Sequence, residues 1–132
     1  MSLHVDTASR LPIYQQLVQQ IREAIARGEL RPEAALPSVR QLSRELVVNP
    51  NTVARAYTEL EREGLLVSRP GRGIYVAWPR TDLTRAARDR RLTEQLDRWL
   101  TEAVHLGYAA QEVLDLVARR VREFQWNGPA RK

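Results

Sequence analysis

From Leu36 to Val76 the chain reads LPSVRQLSRELVVNPNTVARAYTELEREGLLVSRPGRGIYV. Its punctuation leaves few folds open. Ser38 and Gln41 stand at capping-box spacing: the hydroxyl accepts a backbone amide proton and the amide side chain reaches back. Asn49-Pro50 is a second helix start, with Asn as the cap and Pro at the first helical position, where its missing N–H costs nothing. Gly64 closes that second helix. RPGRG then separates two β-rich runs, Leu65 to Ser68 and Ile74 to Ala77, as a hairpin turn does. The pattern predicts two short helices joined by a tight turn, followed by a small β-hairpin.

The flanks are helical. Pro12 to Arg27 carries Ile13, Leu17, Ile21, Ala24 and Ile25 at three- and four-residue spacing, with Pro12 suited to the first helical position and Gly28 to the residue past the end. Glu29 to Pro37 reads as a loop with a short strand near Ala35 and Leu36. The central helices bury Val39, Leu42 and Leu46, then Val53, Ala56, Tyr57 and Leu60; the second runs to about Glu63. Beyond Trp78-Pro79 a helix is expected from Thr81 or Asp82 to Leu106. After Gly107-Tyr108 another follows, from about Ala109 to Gln125. Leu92, Leu96, Trp99, Ala103 and Leu106 form a coiled-coil-like seam, and Ala110, Val113, Val117, Val121 and Phe124 form a second. Some fifty residues bury too little apolar surface to stand alone, so the seams are expected to pack on a second copy of the chain. The alternative is packing on the chain's own N-terminal part. The expectation is therefore a mainly α (α+β) fold. A winged helix-turn-helix with a β-hairpin wing spans 1–79, and a two-helix antiparallel hairpin for dimerisation spans 80–132.

Charge points to a polyanionic partner. The chain carries a formal net charge of +5, with twenty arginines and one lysine, Lys132. From Arg69 to Arg91 there are seven arginines against Asp82 and Asp89, so this window alone holds the excess. The absence of cysteine excludes disulfides, thiolate zinc sites and a cysteine nucleophile. No apolar run approaches the ~20 residues of a membrane span. The N-terminus MSLHVDTASR lacks the apolar core of a signal peptide. These features predict a cytoplasmic protein without membrane contact. His4 and His105 lie far apart, no metal-ligand spacing occurs, and the wing's GRG opens no helix as a phosphate loop would. No enzyme activity, metal or cofactor is expected.

In a helix-turn-helix the second helix enters the major groove of double-stranded DNA with its N-terminal residues at the base edges. Here Asn51 matches adenine, Thr52 a phosphate or thymine methyl, and Arg55 guanine or phosphate. Ser38 and Arg40 open the first helix of the pair, where a phosphate would be met; Arg44 extends the same face. In the wing, Arg69 and Arg72 flank Pro70-Gly71. Gly71 and Gly73 let the backbone approach the sugar-phosphate rail. Each also has a plainer reading: solvated side chains, or glycines that a tight turn requires. A winged helix that binds protein without specific DNA is the competing function.

PIYQQLVQQIREAIARGEL, LPSVRQLSREL and NPNTVARAYTELEREGLLVSRPGRGIYV, in this order, resemble the GntR family of bacterial transcription regulators. The NPNTVARAY form and the two-helix tail resemble its YtrA subfamily. The resemblance implies a homodimeric repressor of a near-palindromic operator, often controlling ABC-type transporter genes. It also implies DNA contacts at Ser38, Arg40, Asn51, Thr52, Arg69, Gly71, Arg72 and Gly73. Many members carry arginine where this chain has Pro50, and some where it has Ala54, so base readout from those positions is missing here. Larger relatives add effector-binding or aminotransferase-like domains. A tail of about fifty residues cannot enclose the ~300 Å³ or more typical of a ligand pocket. An effector, whose identity the sequence leaves unknown, would sit at the dimer interface or between domains.

Overall fold

Val53, Ala56, Tyr57 and Leu60 recur along one side of a helix, and all four are buried at its contact with the rest of the N-terminal unit. The computed structural model describes residues 1–79 and 85–126. They divide into two compact units, one of Met1–Pro79 with Gln125 and Trp126, the other ending at Phe124. The first holds α1 (Ile13–Ala26), α2 (Val39–Leu46), α3 (Pro50–Arg62), β1 (Leu66–Arg69) and β2 (Gly73–Val76). The second holds α4 (Arg85–His105) and α5 (Ala110–Val121).

In the first unit α3 packs on α1, α2 and β1. Leu17 and Ile21 of α1 and Leu42 of α2 close over the α3 stripe. Val39 and Leu46, expected in the same buried face of α2, are half-buried against the core. The hairpin pairs antiparallel with Leu66 opposite Val76 and Arg69 opposite Gly73. Leu66 and Val76 are both buried, so the base of the wing is seated in the core; each buried side chain contributes about 2 kcal/mol. The segment before α2 joins the same small sheet. Ala35 bridges Tyr75, Glu33 N donates to Val76 O at 2.8 Å, and Leu36 N donates to Ile74 O at 2.9 Å.

Several expected boundaries move by a residue. Pro12 caps α1 instead of occupying its first position, because its ψ of 145° is extended while its carbonyl accepts from Gln15 and Gln16. Ser38 caps α2 through Gln41 N at 3.1 Å, but the Gln41 amide does not return; it donates to Glu45 at 3.3 Å. Leu65 belongs to the exit of α3, its N–H reaching Leu60 O, so β1 starts at Leu66. Gly28 ends α1 with φ +79°, and a Cβ there would lie 2.9 Å from the Gln125 side chain. Gln125 N also donates to Ala26 O at 2.7 Å.

The N-terminal arm is ordered by glutamines. Gln20 both accepts from His4 N and donates to His4 O, and Gln16 does the same for Asp6. These two amides, one helical turn apart, pair with the arm as a strand edge would, while Leu3 and Val5 rest on the core. The arm's composition carried no sign of this.

In the second unit, α4 hands over to α5 through Tyr108 N bonding Ala103 O and the Glu112 carboxylate capping Ala109 N. The expected helix start at Thr81 or Asp82 lies outside the described residues. The last helix stops at Val121, a turn before the expected Gln125, so Phe124 follows the helix instead of extending its seam.

Val47, in the turn between α2 and α3, has φ +55° and is 91% exposed. A β-branched residue strains there and packs on nothing in return. Val47→Gly is expected to stabilise the fold by about 0.5–1 kcal/mol, after the entropy glycine adds to the unfolded chain. An unchanged or lowered midpoint in urea unfolding would contradict it.

Candidate nucleic-acid interface

α3 presents its first turn to solvent because its opposite face is the core. The Asn49 side chain accepts from Asn51 N at 2.8 Å, with Pro50 at the first helical position as expected. Asn49 is thus occupied as a cap. The Asn51 side chain is exposed and makes no hydrogen bond among the described residues; Thr52 beside it is half-buried. One asparagine builds the helix end and the other is left to act. No backbone amide is left over at that end: Pro50 has none, Asn51 N is taken by the cap, and Thr52 N and Val53 N donate to Asn49 O at 3.0 and 3.3 Å, so any pull on a phosphate comes from the partial positive charge of the helix end.

Arg55 takes up a different position from the other two. Its guanidinium lies over the Tyr14 ring of α1, 3.8 Å from the centroid. The stack fixes the planar group while leaving the residue exposed. It borders an open polar depression between α1 and α3 that also carries the Arg22–Glu63 and Arg62–Glu59 ion pairs. Tyr14 is a site neighbour that α1 periodicity did not single out.

Ser38 and Arg40 occupy the cap and first turn of α2, both exposed. Arg40 and Arg44 enter no ion pair among the described residues. The start of α2 is held to α3 by Tyr57, whose hydroxyl donates to Pro37 O at 2.7 Å. Burial, and to a lesser degree the Glu45 carboxylate, raises the Tyr57 phenol well above its ordinary value of 10.0, so it stays a neutral donor.

The two wing arginines separate. Arg72 sits at the tip, exposed, with no ion pair among the described residues; its N–H closes the turn on Arg69 O at 2.9 Å. Its carbonyl accepts from the Tyr75 hydroxyl at 2.8 Å. Arg69 is engaged: it pairs with Glu33 at 2.8 Å and its guanidinium lies 4.8 Å from the Tyr75 ring centroid. Gly71 and Gly73 have φ +74° and +114°, and a Cβ on either would meet open space. The turn demands glycine for its backbone angles, and the absence of side chains keeps its surface bare.

The seam residues lie on the second unit. Leu92 and Leu106 are each 65% exposed, and Leu96, Trp99, Val117 and Val121 are exposed as well. Val113 and Phe124 are half-buried. Ala103 alone among the described residues of α4 and α5 is buried. No described helix is long and apolar enough to cross a membrane.

Residues 13–76, spanning α1 to β2, match the family of bacterial regulatory proteins called gntR. The HTH-type transcriptional repressor YtrA of Bacillus subtilis is 35% identical over 111 residues, covering 84% of this chain and 85% of that one. The chain belongs to the GntR family. Within it the likeness extends to solved structures. YtrA of Sulfolobus acidocaldarius, a GntR-family transcription factor, is 36% identical, with a TM-score of 0.61 over 75% of this chain and 97% of that one. The AraR DNA-binding domain in complex with operator ORX1 is 29% identical, with a TM-score of 0.53 over 58% of this chain and 99% of that one. As a GntR protein the chain is a DNA-binding transcription regulator, neither an enzyme nor a protein-binding winged helix. All nine residues read as DNA contacts fall inside the matched segment.

The division between the two asparagines has a measurable consequence. Asn49→Ala is expected to lower unfolding free energy by about 1 kcal/mol through loss of the cap, while Asn51→Ala leaves it within about 0.5 kcal/mol. Equal losses in urea titration would contradict that assignment.

Proposed function

We propose that this GntR protein is a homodimeric repressor that places α3 of each copy in one half-site of a near-palindromic operator. The observation that carries the reading is the state of the α3 start. Its cap is satisfied by Asn49, which leaves Asn51 and Thr52 at the mouth of a helix end suited to the major groove. Ser38 and Arg40 supply phosphate contacts from the start of α2, and Arg72 with Gly71 and Gly73 supplies them from the wing. Arg55, held flat on Tyr14, faces a phosphate more readily than a base. The capture of operator DNA by the similar AraR domain supports this use of the fold.

Exposed Leu92, Leu96, Trp99, Leu106, Val117 and Val121 support dimerisation through the second unit, with half-buried Val113 and Phe124 beside them, whereas Ala103 is already covered within the chain. Large apolar side chains left open along two helices need a partner face, and a second copy supplies one of matching periodicity. Regulation of ABC-type transporter genes, in the cytoplasm, is the role that the YtrA likeness supports.

Arg72→Ala is expected to weaken binding to every sequence alike and to reduce the salt dependence by about one phosphate contact. Asn51→Ala is expected to change which base is preferred at one operator position. Binding selections on randomised operators distinguish the two; identical, sequence-independent losses would remove the proposed roles.

Trp99→Asp places a charge in the seam. Sedimentation equilibrium should then give a monomer that no longer binds the full operator, whereas an intact dimer would exclude this interface.

A further inference from the structure

We propose that Glu33 is the positioning residue of the wing, and that Arg69 is its ligand instead of a DNA contact. This rests on the DNA-binding reading above and deepens it. Four observations converge on Glu33. Its backbone is held at φ +72°, a region that a non-glycine residue occupies only when its surroundings over-determine it. Its N–H donates to Val76 O at 2.8 Å, tying it to the second strand of the wing. Its Oε2 lies 2.8 Å from Arg69 Nη2 at the end of the first strand. Its Oε1 accepts from the same Arg69 nitrogen at 3.0 Å and from the Trp78 indole N–H at 3.1 Å, just past the hairpin.

One carboxylate thereby ties the tip end of β1 to the exit of the hairpin. Arg69 is confined twice, by the carboxylate at its edge and by the Tyr75 ring beside it. The same tyrosine bonds the Arg72 carbonyl. The chain of contacts runs Glu33, Arg69, Tyr75, tip. With Arg69 neutralised by Glu33, Arg72 carries the wing's available positive charge. Arg69 would reach DNA only by giving up a carboxylate, which would set a negative charge free beside phosphates.

The test uses the full chain and a duplex that it protects in footprinting. Arg69→Gln is expected to lower affinity about fivefold with the slope of log K against log salt unchanged, while Arg72→Ala lowers that slope by about one. Glu33→Gln and the double variant complete a cycle in which the two losses overlap strongly. A slope that falls with Arg69→Gln, or losses that add, would overturn the proposal. Hydrogen exchange on the free protein checks the clamp without DNA. Glu33→Gln should speed exchange of the Arg72 amide several-fold, and an unchanged rate would also reject it. Should the wild-type chain protect no duplex, the regulator reading fails, and the exchange rates still decide whether Glu33 positions the wing. The pair is exposed, so both variants should melt within a few degrees of wild type.

Discussion

Burial of one face of α3 is the constraint on which the rest of the N-terminal unit depends. Val53, Ala56 and Leu60 are wholly removed from solvent and Tyr57 nearly so. A helix has two sides, and committing this one to α1, α2 and β1 commits the other to solvent. The start of α3 must then be stabilised without the core, which is why Asn49 and Pro50 stand there. Tyr57 extends the same constraint to α2. Its ring is core and its hydroxyl holds Pro37, the residue before the Ser38 cap. The hydrophobic effect sets which face turns outward, and hydrogen bonds at the helix ends set where each element begins.

The wing follows a second, weaker logic. Leu66 and Val76 seat its base in the core, so that end needs no polar support. Its tip has no such anchor. There the chain uses charge and aromatic contact: Glu33 on Arg69, Arg69 on Tyr75, and Tyr75 on the Arg72 carbonyl. Surface ion pairs of this kind add little to stability. Their effect is on orientation, on which the proposed contact of the wing with DNA depends.

The elements of the first unit were legible in the sequence because each is encoded within one or two turns of chain. Caps at Ser38 and Asn49 act on amides two or three residues away. The Gly28 and Gly64 stops are marked by a local positive φ. Burial of Val53, Ala56, Tyr57 and Leu60 follows from spacing alone. Legibility failed where a local signal had two solutions. Gln41 could return to the Ser38 cap or reach Glu45, both within one turn of an exposed face, and it takes the second. The last helix could continue to Gln125, but that residue bonds Ala26 instead. The family likeness carried the functional class further than any single residue did.

The sequence by itself determined the order of elements, the residues available at the α3 start and the wing tip, and an excess of arginine where the chain turns from wing to tail. Only the tertiary structure decided what each arginine is free to do. Arg55 lies on Tyr14, Arg69 pairs with Glu33, and Arg72 stands unpaired among the described residues. These partners are separated by tens of residues in the chain. Nothing local marks them, because a guanidinium responds to whatever carboxylate or ring the packed core brings within a few ångströms. Contact residue and scaffold residue are the same amino acid in the sequence; their neighbours in space make the difference.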